Sequence, residues 1–261
     1  MMNFKKYLLP LIPILGFFLC WQFLATFGLI NAGLFSAPAK ILRDLADLFN
    51  QKITGHSILL SHLLITLKRL FMAALGGMLV GILVGVFMGL SQKIYRFLDP
   101  IITLIMPIPG IAMTPLFIIW MGFGDPTIIT VGAIATFFPV VYNTSTGVRS
   151  IDIQLVRAAA IVGAKRFTIL INVYLPWAAI YIFTGIKLGL ARCWRTVIAV
   201  EFIAAANWGL GYMIWDAAEY LRAGIVYGGI ILLAFTFTFI EKGLIAPFEK
   251  ITIEKWGMVR S

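Results

Sequence analysis

The stretch RAAAIVGAKRFTILINVYLP, residues 157–176, lies between two long apolar runs and interrupts them with charge. It carries Arg157, Lys165 and Arg166 among small residues: Ala158, Ala159 and Ala160, then Gly163 and Ala164. Asp152, just ahead, has a side-chain oxygen suited to capping a helix that runs through Arg157 to Val162. Gly163 can end that helix in a left-handed conformation. A second helix over about 165–175 is expected to stop at Leu175-Pro176, where the next apolar run begins. Three successive alanines present little side-chain bulk, so the first helix can fit a groove on a partner. The same residues also suit a plain amphipathic surface linker, and physics alone leaves the two readings open.

The rest of the chain is mostly apolar. Of its 261 residues 61% are hydrophobic and 12% charged, against about 25% charged in a soluble domain, and the mean hydropathy is +0.98. This composition places the chain in the membrane class, and its apolar segments, read as helices, make it an all-α membrane protein. Six segments, roughly 7–30, 62–90, 98–121, 127–147, 177–205 and 224–243, are long enough to cross a bilayer, which takes about 20 apolar helical residues. Lys5-Lys6 followed by Tyr7–Leu19 reads as a retained first span, since no small-x-small cleavage site follows. If the spans alternate, Lys5, Lys6, Lys93, Arg96, Arg149, Arg157, Lys165, Arg166, Lys242, Lys250, Lys255 and Arg260 all fall on one side. That side is cytoplasmic, and both termini lie there. Lys40, Arg43, Lys52, Lys68 and Arg69 fall on the other side, where Lys40/Asp44 and Arg43/Asp47 are spaced as i,i+4 pairs. The net charge of +10 suits loops held against anionic membrane lipids rather than a nucleic acid.

Residues 38–49, PAKILRDLADLF, place Ile41, Leu45, Leu48 and Phe49 on one face and the charges on the other. They read as a short interfacial helix on the outer surface, a connector or a binding element. Span two carries Ala73, Gly77, Gly81, Gly85 and Gly89 at four-residue steps, a stripe that lets another helix approach closely, within the bundle or at a dimer seam. Span three holds Pro107, Pro109 and Pro115. Proline frees carbonyls and bends the axis, which places this span inside the bundle beside a cavity.

Catalytic motifs are missing. There is no Gly-Lys dipeptide and hence no phosphate-binding P-loop, no HExxH and no Gly-x-Ser-x-Gly. His56, His62, Cys20 and Cys193 are not spaced as metal ligands, and no metal site is expected. Span five instead carries Lys187, Arg192, Arg195 and Glu201. Arg192 and Arg195 are about 60° apart around the helix and share a face, while Lys187 and Glu201 lie about 21 Å apart along the axis and cannot pair. Guanidinium groups near midplane require water or a partner. Arg192, Arg195 and Lys187 either line an anion pathway, with Pro107 and Pro109 of the bent span, or pair with an acid such as Glu201 or Asp216 of a neighbouring copy. Glu201 itself reads as structural, like Gly77, Gly81 and Gly85.

The spacing in the opening loop resembles the cytoplasmic coupling loop of ABC-importer permeases: Glu-Ala-Ala, three residues, Gly, nine residues, Ile, one residue, Leu-Pro. Arg157 stands where Glu is usual and Val173 where Ile is usual, so no role of that carboxylate carries over. Leu98-Asp99-Pro100, IPGIAMTPLFIIWMGFG at 108–124, FFPV at 137–140, TGIKLGLARCWRTVIAVEFIA at 184–204 and GLGYMIWDAAEYL at 209–221 are similar to the same family. Most of residues 36–256 is covered, closest to the subgroup that imports nitrate, taurine, alkanesulfonates and bicarbonate. The resemblance implies a single transmembrane permease domain over 1–261 with the type I importer fold, in the cell inner membrane. It implies a coupling loop at about 148–176 in which Asp152, Arg157, Ala158, Ala159, Gly163, Ala164, Leu175 and Pro176 meet an ATPase. A second permease copy, two ATPase subunits and a periplasmic substrate-binding protein would be its partners. ATP and Mg would be bound by those partner subunits, with no cofactor in this chain and no enzyme activity of its own. Two other readings stay open: an ion-coupled secondary transporter acting without an ATPase, and a membrane enzyme or assembly subunit.

Overall fold

The computed structural model describes residues 11–247 apart from 32 and 54. It is built of helices and one two-residue hairpin, and it divides into two compact units, residues 1–65 with 208–235 and residues 66–207 with 236–261.

The first unit begins with α1 (Leu11–Thr26), the described part of the first expected span. α2 (Pro38–Asn50) follows with proline in its first turn, where a missing N–H costs nothing. A hairpin of β1 (Lys52–Ile53) and β2 (His56–Ser57) leads into α3 (Ile58–Leu90). The unit closes with α9 (Leu210–Glu219) and the start of α10 (Ala223–Ile240). α2 is amphipathic as expected, but its packed face differs. Ile41 is buried and Leu45 lies 2.7 Å from where a methyl on Gly228 would sit, whereas Phe49 is exposed. Asp44, expected among the outward charges, lies over Gly224 and occupies the space that a side chain there would take. Neither Lys40/Asp44 nor Arg43/Asp47 forms an ion pair among the described residues. Holding two long exposed side chains together gains too little to fix them.

The second unit contains the remainder of α3, then α4 (Gln92–Ile105), α5 (Gly110–Met121), α6 (Asp125–Arg149), α7 (Ile153–Ile161) and α8 (Arg166–Ala204). The glycine stripe of α3 packs on α6 of the same chain. A methyl at Gly81 would stand 2.9 Å from Val140, and one at Gly85 would stand 2.9 Å from the Val141 carbonyl. Gly185 and Gly189 admit the backbone of α6 against α8 in the same way, near Pro139 and Thr136. Close backbone approach replaces the hydrophobic drive that is absent in lipid.

Among the described residues, four helices are long and apolar enough to cross a membrane: α3, α6, α8 and the stretch Ala223–Gly243. α4 and α5 would form a fifth span, broken by a 99° bend at the prolines. The expected span 7–30 begins outside the described residues, as do Lys5, Lys6, Lys250, Lys255 and Arg260. The second loop helix departs from expectation. No separate helix ends at Pro176: the chain is helical from Arg166 to Ala204. A π-turn at Leu170–Tyr174 precedes the proline, and its wider ring absorbs the lost N–H and the ring clash that would otherwise break the helix.

Candidate functional site

Pro107 and Pro109 shape the site. α4 stops at Ile105, Pro109 is the N-cap of α5, and the polypeptide turns sharply between them. The turn closes one side of a cavity of about 320 Å3 in the second unit. Phe138 of α6 lines it, and Arg192, Arg195 and Thr196 of α8 project from another side. Gly110 must be glycine here, because a methyl would stand 2.5 Å from the Thr196 methyl.

Two guanidinium groups one turn apart thus share a cavity whose lining includes no carboxylate. Arg195 Nε donates to the Ala191 carbonyl at 3.1 Å, which anchors the stem of the side chain along its own helix. Neither arginine forms an ion pair among the described residues. Of the three cations expected to line a pathway with these prolines, Lys187 is the exception: it is half-buried and does not line the cavity.

Glu201 does not serve Arg192 or Arg195. Its carboxylate is fully buried and accepts from Arg69 Nη1 at 2.8 Å and from the Thr66 hydroxyl at 2.9 Å. Arg69 is itself buried, and its Nε and Nη2 donate to Asp125 Oδ1 at 2.8 and 2.7 Å. The guanidinium therefore bridges two carboxylates, one at the N-terminus of α6 and one near the end of α8. Beside it the Gly124 N–H donates to the Ala204 carbonyl at 2.7 Å. Sequence reasoning counted Arg69 among outer-surface charges and missed this network. The available signal was an arginine about three turns into an apolar helix, matched by a glutamate deep in another.

The loop between α6 and α8 is built differently. Asp152 Oδ1 accepts from the Gln154 N–H at 2.8 Å and caps α7. Gly163 takes φ +81°, with Gly163 N–H bonded to the Ala160 carbonyl and Ala164 N–H to the Ala159 carbonyl. That pair of bonds closes the helix as a Schellman motif. No residue of α7 is buried. Ile161 is 85% exposed, Val162 83% and Phe167 70%, with Arg157, Lys165 and Arg166 exposed around them. Leu175 and Pro176 are half-buried within α8.

An apolar helical bundle with a proline-broken helix, a cationic cavity and a basic, exposed interhelical loop has the features of a transport permease. The chain belongs to the family of binding-protein-dependent transport system inner membrane components, whose pattern matches residues 77–242. It is 37% identical over 232 residues to the taurine transport system permease protein TauC of Escherichia coli (strain K12), covering 89% of this chain and 84% of that one. It is 28% identical over 245 residues to the bicarbonate transport system permease protein CmpB of Synechococcus elongatus, covering 87% and 84%. In fold it matches a chain of the inward-facing MetNI methionine ABC transporter with a TM-score of 0.63 at 19% identity, over 72% of this chain and 92% of that one. The protein is an inner-membrane ABC-importer permease of the type I fold. The readings as a lone secondary carrier or a membrane enzyme fall with that membership.

Proposed function

We propose that this permease passes a small anion, a sulfonate such as taurine or a related oxyanion such as nitrate, bicarbonate or an organic acid, from a periplasmic binding protein to the cytoplasm. The observation that carries the reading is the pair Arg192 and Arg195, opening on a cavity whose lining includes no acid. An anion entering the membrane loses hydration. Fixed guanidinium groups replace it, and their planar fork suits sulfonate, nitrate and carboxylate oxygens. Two relatives whose names specify taurine and bicarbonate favour the same class.

The whole chain acts as one permease domain, paired with a second copy. Two separate ATPase subunits, which bind ATP and Mg, seat on the loops at 148–176. Exposed Ile161, Val162 and Phe167 supply apolar contact there, and Asp152 and Gly163 hold the shape. α8 runs unbroken from the loop to the cavity. Arg166 to Arg195 is 29 residues, about 44 Å of helix, so movement of the loop is transmitted along one rod to the arginines.

The test is ATPase stimulation and uptake by the reconstituted complex with its cognate receptor, across sulfonates, nitrate, bicarbonate and aromatic acids. Coupled import of one of these anions is expected. Transport independent of ATP, or of cations only, would overturn the reading.

A further inference from the structure

A second polar cavity lies wholly in the first unit, with a volume of about 190 Å3. Its polar lining is Gln51, His62, Tyr212, Asp216 and Arg222. Asp216 and Arg222 carry opposite charges yet form no ion pair with each other or with any described residue. Arg222 has one charge-related contact, 5.4 Å above the Tyr220 ring.

The backbone explains how they come to share the cavity. α9 ends in a Schellman closure, with Arg222 N–H bonded to the Ala217 carbonyl at 2.8 Å and Leu221 N–H to Ala218 at 3.1 Å. Such a motif folds the residue after the turn back over the last helical turn, where an apolar pair usually meets. Here the two positions are Arg222 and Asp216. Leu221 takes φ +53°, the one non-glycine left-handed residue among those described, and is 80% exposed. Its own packing does not compensate that strain, which persists where the surroundings impose it and often marks a functional position. One wall is tied to the backbone: His62 Nδ1 lies 2.9 Å from the Gly209 carbonyl and 3.1 Å from the Gly209 nitrogen, and the buried ring stacks on Tyr212 at 13°.

A cavity with an anionic pole, a cationic pole and an aromatic wall is complementary to a molecule that carries both charges. We propose that this cavity binds a small zwitterion, its ammonium on Asp216 and its sulfonate or carboxylate on Arg222. The volume is below the about 300–1,000 Å3 of pockets for drug-sized ligands, which limits the occupant to a few non-hydrogen atoms. The inference rests on the importer reading for the class of its anionic pole, and adds that the cargo also carries a cation.

The probes are taurine and β-alanine, with ethanesulfonate and ethylamine as single-charge controls, titrated calorimetrically onto the permease–ATPase complex in nanodiscs without receptor. Taurine or β-alanine should bind saturably, with both controls at least tenfold weaker. Asp216→Asn and Arg222→Gln should each weaken binding at least tenfold, and Arg222→Lys should retain part of it. Thermal melting of each variant complex shows that it is folded. Equal binding of zwitterion and ethanesulfonate, binding unchanged in Asp216→Asn, or no saturable binding would each overturn the inference. Receptor-dependent anion uptake, measured on the same preparations, separates the outcomes. Uptake that persists without zwitterion binding removes this inference alone, and loss of both removes the importer reading as well.

Discussion

Arg69 should be worth more to this protein than Glu201, although the two share one ion pair. Glu201 is fully buried and its charge partner is Arg69. Arg69→Met leaves that carboxylate in the interior without its guanidinium partner. Breaking a buried pair in this way costs about 3–5 kcal/mol. Glu201→Gln is gentler. The amide oxygen still accepts from Thr66, and Arg69 keeps its two bonds to Asp125. The loss is one charge-assisted hydrogen bond, about 1.5–3 kcal/mol. Asp125 is 42% exposed, so water partly replaces Arg69 there and adds little to the cost. Combining Arg69→Met with Glu201→Gln removes both buried charges, and the double variant should be more stable than Arg69→Met alone. Reversible unfolding of the permease in bicelles, run as a double-mutant cycle, measures this directly. A Glu201→Gln cost equal to or above that of Arg69→Met, or strictly additive losses, would refute the account of the bridge as a buried, mutually dependent pair.

Three further outcomes follow from the geometry. Ala159→Asp, on the exposed helix α7, should leave the permease inserted but reduce copurifying ATPase at least tenfold, because it puts a charge into the proposed partner groove; normal assembly would end the docking assignment. Gly81→Val should destabilise the bundle by about 1–3 kcal/mol, since its first carbon alone would stand 2.9 Å from Val140, whereas Gly76→Ala, with open space around it, should be neutral or stabilising in the same unfolding assay. Arg195→Met should assemble with the ATPase and hydrolyse ATP yet import the anion at least tenfold more slowly, with Arg195→Lys intermediate; native uptake by Arg195→Met would remove this residue from the pathway.

What the sequence made legible was whatever depends on local chemistry. Four-residue glycine spacing predicts a close helix contact, and α3 makes it with α6. Pro107 and Pro109 predict a bent axis beside a cavity, and both line one. Arg192 and Arg195 predict a shared face, and they meet in that same cavity. What depends on distant pairing was hidden. Glu201 is 132 residues from Arg69, and no local pattern distinguishes that partner from Arg192, which lies far nearer in sequence. The charge pattern of α2 gave no hint that Asp44 would turn inward, because the reason is an absent side chain at Gly224.

The error at Pro176 matters most for mechanism. A proline rule based on sequence places a break there, which would make the loop a separate hinged piece, able to move without moving the membrane part. The π-turn at Leu170–Tyr174 removes the break. The bonded, left-handed Gly163 closure separates α7 from α8, whereas the chain after Arg166 is helical without a gap to Ala204. On the proposal that an ATPase seats on this loop, a displacement at Phe167 acts directly on α8. That helix holds Arg192 and Arg195 at the cavity, and Glu201 beyond them in the bridge to Arg69 and Asp125. On that proposal, force at the loop has one continuous helix to act on. The buried bridge ties the far end of that helix to α3 and α6, and the arginines lie between the loop and the bridge.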